Sequence, residues 1–181
     1  PIVIDGDTAD VTVNLYKDVN RTEPLDNDAV TSVSTLYGTF SASFLNGKAP
    51  SVSSNVAVYE FPDTIVVDDN NGGELMTGSG SSAVKAGTWK IARNKVVFTF
   101  DKDWLAKNPS EIRVAANFSF QLSNKDTGSG GNATINFPGT GSISIPTKDG
   151  TVTGTKSGTF SQSSDGIAKV TWTVKLSVDS Y

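Results

Sequence analysis

The stretch NVAVYEFPDTIVVDDNNGG (55–73) decides how the chain is read. Val56 and Val58 alternate with smaller or polar neighbours, the period-two signature of a strand with one buried face. Pro62, just after Phe61, then interrupts the run. A proline has no N–H to give to a central ladder, so it marks an edge, a kink or a crossover between sheets. Ile65 to Val67 resume as a short apolar run, and the polar residues 68–73 end it as a turn.

The same alternation spreads outward in both directions. VTVNLY (11–16) is one strand, and STLYGTFSASFLNG (34–47) is a longer one with Leu36, Phe40 and Phe44 on one face. Residues 18–28 between them form an acidic, proline-containing link. On the other side, a Gly/Ser loop (77–82) leads to GTWKIARNKVVFTF (87–100), a hairpin with Arg93 and Asn94 at its turn. DKDWLAKNPSE (101–111) has the marks of a short helical turn, with Asp101 or Asp103 as cap and Pro109 as stop. EIRVAANFSFQLSN (111–124), ATINF (133–137) and GSISIP (141–146) complete about nine strands at roughly ten-residue spacing, the pattern of an all-β, immunoglobulin-like antiparallel sandwich.

Composition narrows the chemistry. The 181 residues carry a net charge of −4, with 36% hydrophobic residues, no cysteine and no histidine. Missing cysteine removes disulfides, thiolate metal sites and thiol catalysis, and leans towards an exported protein. Missing histidine removes Ser-His-Asp chemistry and His-ligated metals, which leaves carboxylates, lysine and tyrosine as acid–base groups. An acidic chain without a basic stripe does not suit nucleic acid. No run approaches the roughly eighteen apolar residues of a membrane span. No signal peptide is visible, and the opening residues read as a linker, so a mature fragment of a longer protein is expected.

At TKDGTVTG (147–154) the pattern breaks, and the composition resembles an interdomain linker. KSGTFSQSSDGIAKVTWTVKLSVDSY is then a single hairpin, with strands at 156–161 and 167–178 and a turn at SSDG (163–166). Residues 1–147 are therefore expected to form one domain, and 148–181 the linker and first hairpin of a second, truncated one. A lone ribbon bearing Phe160, Ile167, Val170, Trp172 and Val174 is marginal in water. It is expected to dock on the first domain or to pair with the same hairpin of a neighbouring molecule.

The order YEFPDTIVV (59–67), GTWKI (87–91), NKVVFTF (94–100) and IRVAANFSF (112–120) resembles the ligand-binding region of Gram-positive cell-wall-anchored adhesins. KSGTF…VTWTV (156–174) is similar to the first hairpin of the next domain in such proteins. The resemblance runs from about residue 30 onward; KDWLAKNP (102–109) is longer than the connection it implies. What it implies is a variant immunoglobulin sandwich with extra strands, extracellular and attached to the bacterial surface. It also implies a role for Lys156, which in such domains can form an isopeptide bond with an asparagine or aspartate of the last strand. Desolvation lowers the lysine pKa and a buried acid polarises the amide. That last strand would lie beyond residue 181, and a solvated linker lysine is the alternative.

Other candidates rest on the residues alone. Asp68, Asp69, Asn71 and Glu74 surround a glycine turn as calcium ligands do, but without EF-hand spacing or a carboxylate at the final position, and an acidic hairpin turn is the favoured reading. Glu60, Asp63, Asp101 and Asp103 offer carboxylates for glycoside hydrolysis, with nothing to bring a pair together. Trp89 and Trp172 read as core. Trp104, in the connecting segment, reads either as a ligand anchor or as a cover for the open end of the sandwich. The sequons at Asn20, Asn117 and Asn132 are chance matches in a bacterial protein. No cofactor and no metal are expected. The functional expectation is a non-catalytic adhesin module that binds an extracellular protein or glycan. A structural, pilin-like stalk and a carbohydrate-binding sandwich of a secreted protein are the alternatives.

Overall fold

The computed structural model describes residues 1–25, 30, 34–69, 71–77, 80–123, 131–147, 152–162, 166 and 168–178. The fold is an all-β, immunoglobulin-like sandwich. In chain order its strands are β1 (Ile2–Val3), β2 (Ala9–Tyr16), β3 (Leu36–Phe44), β4 (Val56–Glu60), β5 (Ile65–Val67), β6 (Gly72–Thr77), β7 (Val84–Ala92) and β8 (Lys95–Phe100). A short helix, α1 (Lys102–Lys107), precedes β9 (Arg113–Leu122), β10 (Asn132–Asn136), β11 (Ser142–Pro146), β12 (Val152–Gln162) and β13 (Ala168–Val178).

One sheet has the order β1-β4-β8-β7-β6, and the facing sheet has the order β2-β3-β9-β5. β1 joins β4 in parallel and the other pairs within these sheets are antiparallel. β4 and β5, on either side of Pro62, lie in different sheets, so the proline marks a crossover. Asn94 holds that crossover together. It sits in the β7–β8 turn at φ 60°, and its side-chain amide donates to Pro62 O and Ile65 O, both at 3.1 Å. Its side-chain oxygen accepts from Val67 N at 2.8 Å. One asparagine that tolerates left-handed backbone thus pairs the groups that the change of sheet leaves without a ladder.

Alternation fills the space between the sheets. Leu36, Phe40, Phe98, Phe118 and Phe120 point inwards and are buried. Ring contacts run from Phe98 through Phe40 and Tyr59 to Phe61, and on to Phe118 and Phe120. The β10–β11 hairpin closes on this core through Ile135, Phe137 and Ile145, all buried. Tyr59 Oη donates to Pro138 O in the hairpin turn at 3.0 Å, and burial pushes the Tyr59 phenol pKa up. Gly38 is needed where it stands, because a Cβ there would lie 2.2 Å from the Phe118 ring.

Several expectations change. β6 lies where a polar turn and a loose loop were read, and β1 also adds a strand. β12 begins at Val152, so the end of the segment read as a linker is strand; residues 148–151 lie outside the described residues. Residues 163–165 of the SSDG turn lie outside them as well, while Gly166 has φ +82°. Trp172 was read as core yet is 61% exposed. The cause is that among the described residues β12 and β13 pair only with each other, in register from Val152↔Val178 to Gln162↔Ala168, and every described side chain of the ribbon is exposed.

Candidate functional site at the β6 and β9 edges

Trp104 is placed by its own helix. Asp101 caps α1, accepting from Trp104 N at 2.9 Å. At the other end the Asn108 side-chain amide donates to Trp104 O at 2.9 Å. Leu105 is buried beneath the helix. Trp104 is half-buried, stacked on Phe100 with ring centroids 6.1 Å apart and 25° between planes. The indole therefore covers the end of the core and also borders a hollow of about 430 Å³, shared with Met76, Thr77, Asn108, Glu111 and Arg113. Glu111 stands there at φ 58°, strained for a residue with a side chain. The neighbouring Ile112, fully buried, anchors the turn.

Two open strand edges meet at this hollow. Among the described residues β6 pairs with β7 alone, so its other edge is unpaired. Among the described residues β9 pairs with β3 over Arg113–Phe120 and with β5 only over Phe120–Leu122, which leaves the first half of its far side unpaired. β6 and β9 touch. At one end of the contact Met76 and Thr77 share the Trp104 hollow with Arg113. At the other, Gly72 shares a second hollow with Asn117 and Ser119. The two strands therefore lie alongside each other, with a hollow at either end. A register shift between Leu75 and Met76 bends β6 beside the first hollow, where Met76 is 47% exposed.

The other expected site residues lie apart from this place. Lys156 is exposed on β12, with its Nζ 4.5 Å from the centroid of the Trp172 ring. Of the four expected calcium ligands, the side chains of Asp68, Asp69 and Glu74 are engaged separately, and Asn71 is bonded through its backbone carbonyl. Asp68 accepts from the Ser119 hydroxyl, Asp69 from Arg93 N at 2.9 Å, Asn71 O from Ile91 N at 2.7 Å, and Glu74 pairs with Lys85 at 3.3 Å. Among the described residues no three His, Cys, Asp or Glu side chains are grouped to hold a metal ion. Glu60 pairs with Lys95 at 3.5 Å, and Asp101 is spent on its cap. Among the described residues no helix is long and apolar enough to cross a membrane.

Trp104 was reachable from the sequence, whereas Met76, Glu111 and Arg113 were not. The only signal for β6 was the Leu75–Met76 pair between polar Glu74 and Thr77, and the preceding Gly72 and Gly73 disguised it. Compared with protein-family models and with curated proteins, the chain matches none.

Proposed function

We propose that this protein is a non-catalytic extracellular adhesin module, of the kind carried on the surface of Gram-positive bacteria, and that it binds an extended segment of a host or matrix macromolecule along β6. The observation that carries the reading is the pair of open edges, β6 and β9, lying together beside a half-buried tryptophan. An added strand satisfies the exposed N–H and C=O groups of an edge, while a side chain seated against Trp104 supplies an anchor. The absence of histidine and cysteine from the sequence and the separate engagement of Glu60 and Asp101 support a binding role over a catalytic one. In this reading residues 148–181 are the linker and first hairpin of a second sandwich.

Solid-phase binding of the full chain to collagen, fibrinogen, fibronectin and a glycan panel tests it. Trp104→Ala and Met76→Lys should each weaken binding to a matrix protein by about tenfold or more, the cost of losing an anchor or blocking an edge. Binding to none of these proteins would turn the reading towards a structural stalk, and binding that survives both substitutions would overturn the β6 edge as the contact.

A further inference from the structure

The hollow at the far end of β6 has a different chemistry. It measures about 290 Å³ and is bordered by Arg21, Tyr37, Asn71, Trp89, Asn117 and Ser119. We propose that it is a saccharide-binding site, which takes a neutral pyranose ring against Tyr37 and Trp89.

The site is held in place from two sides. On one side the Asp18 carboxylate ties down the 18–23 loop, accepting from Glu23 N at 2.9 Å, Thr22 N at 3.0 Å and the Thr22 hydroxyl at 2.7 Å. These bonds hold the Asp18 pKa below its ordinary value. The loop carries Arg21 at φ 57°, in the left-handed region. The guanidinium donates from Nε to Gly38 O and from Nη2 to Phe118 O, both at 3.0 Å, and from Nη1 to Val19 O at 2.9 Å. Its central carbon lies 5.7 Å from the Tyr37 ring centroid. Arginine here is a strut that fixes Tyr37 and the loop, its charge largely met by three carbonyls and a ring.

On the other side Trp89 reaches the rim because residue 73 is glycine. Gly73 is its cross-strand partner, and a Cβ on Gly73 would stand 3.1 Å from the indole Nε1. The indole can therefore lie across β6 towards the sheet edge.

The polar groups at this rim are unspent. Among the described residues no acceptor meets the Trp89 indole N–H, and none of the Tyr37 hydroxyl and the Asn71 and Asn117 side-chain amides has a hydrogen-bond partner. Asn117 is exposed. Ser119 already donates to Asp68.

Two aromatic side chains, Tyr37 with Arg21 over its ring and Trp89 packed partly on the core, two carboxamides, an indole N–H and a phenol, with no carboxylate among the bordering residues, describe a ligand with an apolar face and a rim of hydroxyls. A pyranose has this shape: its axial C–H bonds stack on an aromatic ring and its equatorial hydroxyls reach sideways to amides. A proline-rich peptide would also stack on Tyr and Trp but would leave most of the amides unmet. The volume suits one or two sugar rings, and is at the small end of ordinary ligand pockets.

The proposal does not depend on strand addition at β6, and the test separates the two. The full chain is titrated with cellotetraose, maltotetraose, N-acetylchitotriose and a proline-rich decapeptide, followed by tryptophan fluorescence and saturation-transfer NMR. At least one saccharide should saturate and alter the fluorescence. Trp89→Phe should remove the fluorescence response. Asn117→Ala, at an exposed position that leaves the fold undisturbed, should weaken binding by about tenfold. Trp104→Ala should leave the saccharide affinity unchanged, whatever it does to a protein ligand. The proposal is overturned if no saccharide saturates at tens of millimolar, if Asn117→Ala and Tyr37→Phe both bind as the parent does, or if only the peptide binds.

Discussion

Lys156 and Trp172 meet diagonally across the β12–β13 ribbon, the ammonium 4.5 Å from the ring centroid. Lys156 is paired with Val174, and Trp172 with Gly158, so both point to the same face. Gly158 makes room, because a Cβ there would be 2.7 Å from the indole. A cation over tryptophan at an exposed site contributes about 0.5–1 kcal/mol. Among the described residues the ring is the partner that Lys156 has found. The expected intact mass of the chain is accordingly that of the unmodified sequence, with no loss of about 17 Da, the ammonia released when lysine and asparagine side chains join. A loss mapped to Lys156 by peptide sequencing would show a covalent partner within these residues.

Cutting after Thr147 should leave a cooperative melting transition. Thr147 is bonded to Gly131 O through both its N–H and its hydroxyl, at 2.9 Å each, so the last rung of the sandwich is kept. β12 and β13 add no buried side chain to it among the described residues. Loss of the transition in circular dichroism would assign the ribbon to the first sandwich.

Tyr59 sets an alkaline limit. In the unfolded chain its phenol loses its proton near pH 10.0, while burial holds the folded pKa above that. Above pH 10 the unfolded state releases a proton that the folded state keeps. The contribution is thus complete below pH 10 and lost as pH rises through the folded pKa, by up to about 1.4 kcal/mol per pH unit. Urea melts from pH 8 to 11.5 should show this decline. Tyr59→Phe should flatten it, at a cost of about 1 kcal/mol at pH 8 for the bond to Pro138 O.

Gly38→Ala should destabilise by about 1–3 kcal/mol, since the new methyl group meets the Phe118 ring inside a filled core. Phe118→Leu, although destabilising alone, should recover part of the loss in the double variant. Equal and independent effects in thermal melts would show that the two positions do not share the space.

The sheets were legible because their residues alternate. Pro62 marked the change of sheet, Asn94 suited the tight turn, and Asp101 announced the helix that presents Trp104. β6 was hidden by composition. Glycines and acidic residues read as a turn, yet Gly72 and Gly73 extend beside Lys90 and Trp89, held by backbone pairing that no side chain reports. The hollows were less legible still. Arg21 and Phe118, or Thr77 and Arg113, are brought together by sheet order, and period-two patterning gives faces, not neighbours.

The ribbon has a colloidal consequence. Phe160, Val170, Trp172, Val174 and Leu176 share one face with Lys156, each more than half exposed, while threonine, serine, Lys169 and Lys175 occupy the other. Two such faces brought together hide roughly 1,000 Å² of apolar surface, close to the threshold for a specific contact. Association should therefore rise with protein concentration and weaken on Trp172→Lys, as read by sedimentation velocity. Lys169 and Lys175 lie on the reverse side, where like charges should discourage further stacking, so any association is expected to stop at pairs.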